Sequence, residues 1–215
     1  MNQESRKWGC RNLGEAARHD RGEHRHRGGS TESLVDKEAI LAALEIRPGQ
    51  TVLDAGCGSG YMAREFSRQV GPAGTVYALD LDDSRIAALA DDTQGTNIRP
   101  MVADITAPTA LPASAFDVIY LSTVFHGFSS QQARGFEAEA KRLLAPRGKL
   151  AILEIAKRAT PFGPPLERRF TPQEIRDALG LAALATVDVG ECFYMQLLEA
   201  DDRQTDVPDQ ECRTP

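Results

Sequence analysis

Three carboxylates are distinguished by where they fall. Asp54 lies in the apolar run TVLDAG, Asp80 closes TVYALD, and Asp104 follows in NIRPMVADI. Each run reads as a strand, so the three acids stand at three consecutive strand ends. One residue after the first acid comes GCGSG, with glycines at 56, 58 and 60. A glycine-rich turn from strand to helix lets main-chain N–H groups approach a ligand with no Cβ in the way. A tight turn without a ligand is the plainer use of the same residues. The leading carboxylate decides which ligand fits. Asp54 would repel a phosphate and attract a cation, such as the amino group of an amino acid.

Spacing narrows the choice. A dinucleotide fingerprint, GxGxxG, would need glycine at 61, where the chain has Tyr61. A phosphate loop would end in Gly-Lys-Ser/Thr, which is absent. Asp80 can accept hydrogen bonds from both hydroxyls of a ribose, or it can cap a helix. Asp104 can accept from an adenine amino group, with Ile105 beside the ring. An ammonium group, a ribose and an adenine, without phosphate, describe S-adenosylmethionine.

The elements that must hold these residues alternate along the chain. Met62, Phe66 and Val70 recur every four residues and predict a helix over 61–70. Asp82 or Asp83 caps a helix ending near 93, with Ile86, Leu89 and Ala90 on its face. An earlier helix is expected over 34–44. The strands expected are 51–56, 75–80, 97–105, 115–125 and 148–156. Pro100 removes a donor from the third, so limited pairing is expected there. The fourth is apolar throughout and reads as buried on both faces. A helix over 130–146 is ended by Pro146. Thr171, Pro172 and Glu174 open another with a capping signal. Residues 185–200 read as two strands joined at Gly190–Glu191. Strand–helix repeats closed by a hairpin predict a parallel sheet with helices on both faces, and ligands bind beyond the carboxyl ends of such strands.

Length and charge set limits. The chain has 215 residues, 41 % of them hydrophobic, and a net charge of −6. One domain with tails is expected. The acidic balance argues against a general nucleic-acid binder. No apolar run approaches the roughly 20 residues that span a bilayer, and the polar N-terminus is no secretory signal. A cytoplasmic protein is expected. The four cysteines form no CxxC pair, so neither a zinc site nor a disulfide framework is suggested, and no metal is expected. Three parts are expected: a flexible polar arm over 1–33, a folded domain over 34–200 and a polar tail over 201–215. His19, His24 and His26 in the arm match no defined metal-ligand pattern.

As a set, VLDAGCGSG, VYALDLD, ADI and FDVIYLSTVFHGF resemble the class I S-adenosylmethionine-dependent methyltransferases, near the ubiquinone and menaquinone C-methyltransferases. The resemblance covers about 34–199. It implies an α/β, Rossmann-like, seven-stranded and mostly parallel sheet with helices on both faces and an antiparallel last strand. It implies methyl transfer from S-adenosylmethionine to a small-molecule acceptor, leaving S-adenosylhomocysteine. Asp54 would hold the methionine end, while Gly56, Cys57, Gly58 and Gly60 line the cofactor. Asp80 would bind the ribose, with Leu81 against adenine. Asp104 and Ile105 would meet the adenine, and Ser122 would sit under the methionine portion. His126, just past the fourth strand, is the candidate general base if the acceptor holds its proton, or else a lining residue. Glu154 and Tyr194 are further pocket candidates. The Pro-rich segment 160–170 forms one wall of the acceptor site or only a connector. Two other readings stay open: a non-catalytic protein that binds the same cofactor, and a nucleotide-dependent oxidoreductase.

Overall fold

The computed structural model describes residues 33–199. The expectations for the arm and the tail lie outside the described residues, apart from Ser33. Seven strands form one sheet in the order β3-β2-β1-β4-β5-β7-β6. In chain order they are β1 (Thr51–Ala55), β2 (Thr75–Asp80), β3 (Ile98–Val102), β4 (Phe116–Ser122), β5 (Leu144–Ile155), β6 (Ala182–Asp188) and β7 (Phe193–Glu199). The helices are α1 (Lys37–Leu44), α2 (Tyr61–Val70), α3 (Asp83–Asp92), α4 (Ser130–Leu143) and α5 (Pro172–Leu179). β1 to β5 pair in parallel, and β7 runs antiparallel between β5 and β6. The Rossmann-like architecture expected from the sequence is the one observed.

Strand periodicity builds two cores. Val52, Val76, Val118 and Ala151 point to one face, where Ile40 of α1, Phe66 of α2 and Leu89 of α3 cover them. Leu53, Ile119, Leu121 and Ile152 point to the other, under Phe136 of α4 and Ile175 of α5. Successive side chains of a strand leave opposite faces, so each central strand must be apolar throughout. β4 meets this demand, with only Asp117 and its last residue, Ser122, less than fully buried.

Local signals hold at several junctions. Asp82 caps α3 by accepting from the main-chain N–H groups of Ser84 and Arg85. Thr171 and Glu174 form a capping box at α5, with Pro172 at its first position. Pro100 lies in the edge strand β3, where a missing donor costs least. Several boundaries differ: α1 starts at Lys37, β3 ends at Val102, β4 ends at Ser122 and β6 starts at Ala182, each about three residues from expectation, and the α4–β5 junction moves most. α4 stops at Leu143, and β5 starts at Leu144 rather than at 148. Leu144 pairs with Phe116, the register then shifts, and Lys149 resumes pairing with Val118. Arg147 takes a positive φ of 63° within this irregular stretch. The ladder recruits residues before Pro146 because the proline sits where pairing is already interrupted.

Strand order reverses between β1 and β4. That point, beyond their carboxyl ends, is where an open α/β sheet leaves a crevice.

Candidate functional site

β1 delivers Asp54 to that crevice. Its carboxyl is 3 % exposed and accepts from the main-chain N–H of Ala63, at the start of α2. Its Oδ2 has no hydrogen-bond partner among the described residues. Burial pushes the group up to about 7; the Ala63 bond opposes this, and the negative charge of Asp80 adds to it. A buried, half-satisfied carboxylate is costly unless a donor completes it. An ammonium group is such a donor.

The glycine turn works differently from the simplest expectation. The N–H groups of Gly56 and Cys57 both donate to the carbonyl of Leu79, at 2.7 and 2.8 Å. Gly58 N–H donates to Asp80 Oδ2 at 2.8 Å, and Gly60 N–H to the Cys57 carbonyl at 2.8 Å. These four donors are engaged within the protein, so they form no phosphate cradle. The glycines serve conformation and clearance. Gly56 and Gly60 both take φ near 75°. A Cβ on Gly56 would lie 2.7 Å from a methyl of Val124, and one on Gly60 would lie 2.4 Å from Leu89. Gly58 faces more open space, with only the Arg85 guanidinium 3.7 Å away. Cys57 is buried. Desolvation, then the charges of Asp54 and Asp80, push its thiol well above the usual range, so it is a lining group and no thiolate nucleophile.

Asp80 is half-buried at the end of β2. Each carboxylate oxygen accepts one internal bond, from Gly58 N–H and from Asp82 N–H at 3.0 Å. A carboxylate oxygen accepts two, so both keep capacity for a diol. Beside it Leu81 is 69 % exposed and Val102 52 % exposed. Val102 is the register partner of Asp80 across β2 and β3. Two exposed aliphatic side chains flanking a carboxylate suit a flat aromatic base. Val102 was not anticipated from the sequence, although its place at a strand end beside Asp80 is a usable signal. Asp104 Oδ1 accepts from the main-chain N–H and hydroxyl of Thr106, at 2.8 and 2.7 Å, which leaves Oδ2 for a ligand. Ile105 is buried in the layer beneath α4.

β4 contributes the remaining wall. Ser122 is hydrogen-bonded to Tyr120, whose ring is buried and whose strand position is the register partner of Asp54. Thr123 follows with φ 54°, a conformation a β-branched residue adopts only under constraint. A 3₁₀ turn over Phe125–Gly127 then carries His126. His126 Nδ1 lies 2.8 Å from Glu154 Oε2, at the carboxyl end of β5. Tyr194, the register partner of Glu154, donates its hydroxyl to the Phe170 carbonyl at 2.7 Å.

Segment 160–170 is a braced loop. Arg169 is buried, and its guanidinium donates to the carbonyls of Ala156, Arg158, Phe162 and Pro164 and to the Thr160 hydroxyl. Nothing in the sequence distinguished it from exposed Arg168. Among the described residues no cluster of three or more His, Cys, Asp or Glu could hold a metal. No helix among them is long and apolar enough to cross a membrane.

Residues 52–148 match the family described as methyltransferase domain. In that segment and in its fold the chain is similar to S-adenosylmethionine-dependent methyltransferases. It resembles the ubiquinone/menaquinone biosynthesis C-methyltransferase UbiE of Bordetella avium, 31 % identical over 131 residues, or 60 % of this chain and 50 % of that protein. UbiE of Ralstonia pickettii is 33 % identical over 132 residues, covering 57 % and 50 %. The chain thus spans about half the length of the curated relatives it matches. A crystal structure of a SAM-dependent methyltransferase from Aquifex aeolicus superposes with a TM-score of 0.71 at 27 % identity, over 81 % of this chain and 94 % of that one. A TehB-like methyltransferase from Corynebacterium glutamicum shares the fold at 20 % identity and TM-score 0.61, covering 76 % and 87 %.

Proposed function

We propose that this protein transfers a methyl group from S-adenosylmethionine to a small-molecule acceptor. The observation that carries the reading is the unpartnered Oδ2 of buried Asp54. It stands beside an Asp80 carboxylate with open acceptor capacity and two exposed aliphatic side chains. These residues fit the cofactor piece by piece. Asp54 receives the ammonium, Asp80 the ribose diol, Leu81 and Val102 the faces of the adenine, and Asp104 Oδ2 its amino group. Ser122 and the backbone at Gly56 and Gly58 flank the methionine portion.

The cofactor supplies an activated methyl on a sulfonium. The protein's part is alignment and exclusion of water, because in-line displacement needs little else. The rigid crevice and the braced loop suit that part. The oxidoreductase reading loses support, since the turn lacks free N–H groups at 56, 57, 58 and 60 for a pyrophosphate. The acidic balance and the short connections between elements favour a small acceptor over a nucleic acid. A cytoplasmic place for the chemistry fits the polar sequence.

Calorimetry with S-adenosylmethionine and S-adenosylhomocysteine, with NADH as control, tests the reading. Micromolar binding of the sulfur ligands alone is expected. A folded protein that binds neither would end it.

A further inference from the structure

We propose that Glu154 and His126 form a base unit, so that the acceptor is a protic nucleophile, of which a phenolic hydroxyl is the simplest. The proposal rests on the methyl-transfer reading above for its reaction. Its geometry stands independently.

Glu154 is 2 % exposed, yet both of its hydrogen bonds among the described residues go to one residue, His126. Oε1 accepts the main-chain N–H of His126 at 3.2 Å, and Oε2 faces Nδ1 at 2.8 Å. A buried carboxylate serving stability alone is ordinarily matched by Arg or Lys. Here the nearby cations are engaged elsewhere. Arg169 holds carbonyls and the Thr160 hydroxyl, and Lys157 pairs with Glu174 at 2.6 Å. The buried charge is left to the imidazole. Donation of Nδ1–H to Glu154 selects the tautomer that leaves a lone pair on Nε2. Nε2 has no partner among the described residues, and the His126 side chain is 22 % exposed.

The turn that carries His126 is held from both sides. Phe125 beneath it contacts Phe170, Phe128 and Phe136, with ring centroids 5.0, 5.6 and 6.2 Å away. Val124, two residues before His126, packs into the space that Gly56 leaves by lacking a Cβ. The segment that leads into the base therefore borders the glycine turn of the crevice. In the step, the proton on the acceptor atom passes to His126 Nε2. The electron pair of that bond forms the new bond to the methyl carbon. The pair of the carbon–sulfur bond goes to sulfur, giving a neutral thioether. The imidazolium is held by the Glu154 carboxylate. Glu154 is a positioning residue and His126 the catalytic one.

Two readouts test this. Nitrogen-15 NMR of the full chain with S-adenosylhomocysteine, at pH 8, reads the tautomer of His126. A proton on Nδ1 is expected, with a mixture of tautomers in Glu154→Gln; a proton on Nε2 in the wild type would overturn the proposal. Methyl transfer to 1-naphthol, phenol and hydroquinone is the second readout. His126→Gln and Glu154→Gln should each lower kcat about 10²-fold, the scale of general-base catalysis, with the KM for S-adenosylmethionine unchanged. Glu154→Asp should recover part of the loss. Unchanged kcat with a lowered Tm would reduce the pair to a structural contact and overturn the proposal. Transfer to none of the three hydroxyl probes, with cofactor bound, would overturn the acceptor class. Absence of cofactor binding would instead strike the methyl-transfer reading, and the tautomer would decide the pair alone.

Discussion

Asp54 and Asp80 differ in what surrounds them, and that difference sets opposite expectations. Asp80 is half-buried and internally bonded, so its charge needs no ligand. Asp80→Ala removes two charge-assisted ribose contacts and the partner of Gly58 N–H. At about 1.5–3 kcal/mol for each bond to a charged group, cofactor affinity should fall by about 100-fold or more. Unchanged affinity by calorimetry would remove Asp80 from the ribose site. Asp54 is buried with one oxygen unsatisfied, and its pKa is raised from 3.8 to about 7. A raised acid favours the neutral form in the folded state. The stability this contributes is fully present below 3.8 and is lost as pH rises through about 7. A bound ammonium reverses the preference. Cofactor affinity should therefore rise with pH through about 7, with proton release on binding. Asp54→Asn should weaken binding and flatten that pH dependence, which calorimetry in two buffers of different ionisation enthalpy measures. An affinity independent of pH between 6 and 8 would contradict the role given to Asp54.

At the scale of elements, α4 shows why a helix keeps a poor helix former. Gly135 costs about 1 kcal/mol relative to alanine by propensity. A Cβ there would stand 2.0 Å from the Thr106 carbonyl oxygen, which is backbone and cannot swing aside. The close approach seats α4 on the turn that carries Asp104. Gly135→Ala should lower Tm, by overpacking worth about 1–3 kcal/mol, and weaken cofactor binding by shifting Asp104. A thermal melt paired with a binding isotherm checks both; a stabilised variant would show that the approach is not tight. The same helix separates what was readable from what was not. Its capping box, Ser129 with Gln132, is a local pattern. Its end was misplaced by three residues because Pro146 is the sequence's stop signal, whereas pairing of Leu144 with Phe116 stops the helix earlier. α2, α3 and α5 followed their periodicity and caps closely. Nothing local marked Gly135 as a contact point with residue 106.

For the molecule as a whole, charge and topology act together. Glu139 is buried beside Arg142 and Thr109. Burial alone would raise its pKa, but their hydrogen bonds prevail and hold it down at about 2. Its contribution is present above 4.5 and lost as pH falls through about 2, the opposite sense to Asp54. Tm should therefore hold or rise as pH drops from 8 toward 5, then fall in stronger acid. Added cofactor should raise Tm more at pH 8 than at pH 6. Differential scanning calorimetry across that range checks both, and a cofactor shift larger at pH 6 would contradict the reading of the crevice.

Composition and local pattern determined the fold class, the strand–helix alternation and the three strand-end acids. These depend on side-chain period, turn chemistry and residues a few positions apart, which a linear sequence displays. The tertiary structure decided the strand order, with β7 set between β5 and β6. It also decided that the N–H groups at 56, 57, 58 and 60 face inward, and that Arg169 rather than Arg168 braces the loop over 160–170. Glu154 and His126 are 28 residues apart and meet only because β4 and β5 lie side by side. Contacts between elements distant in the chain depend on how their buried faces pack together, and no local spacing encodes them.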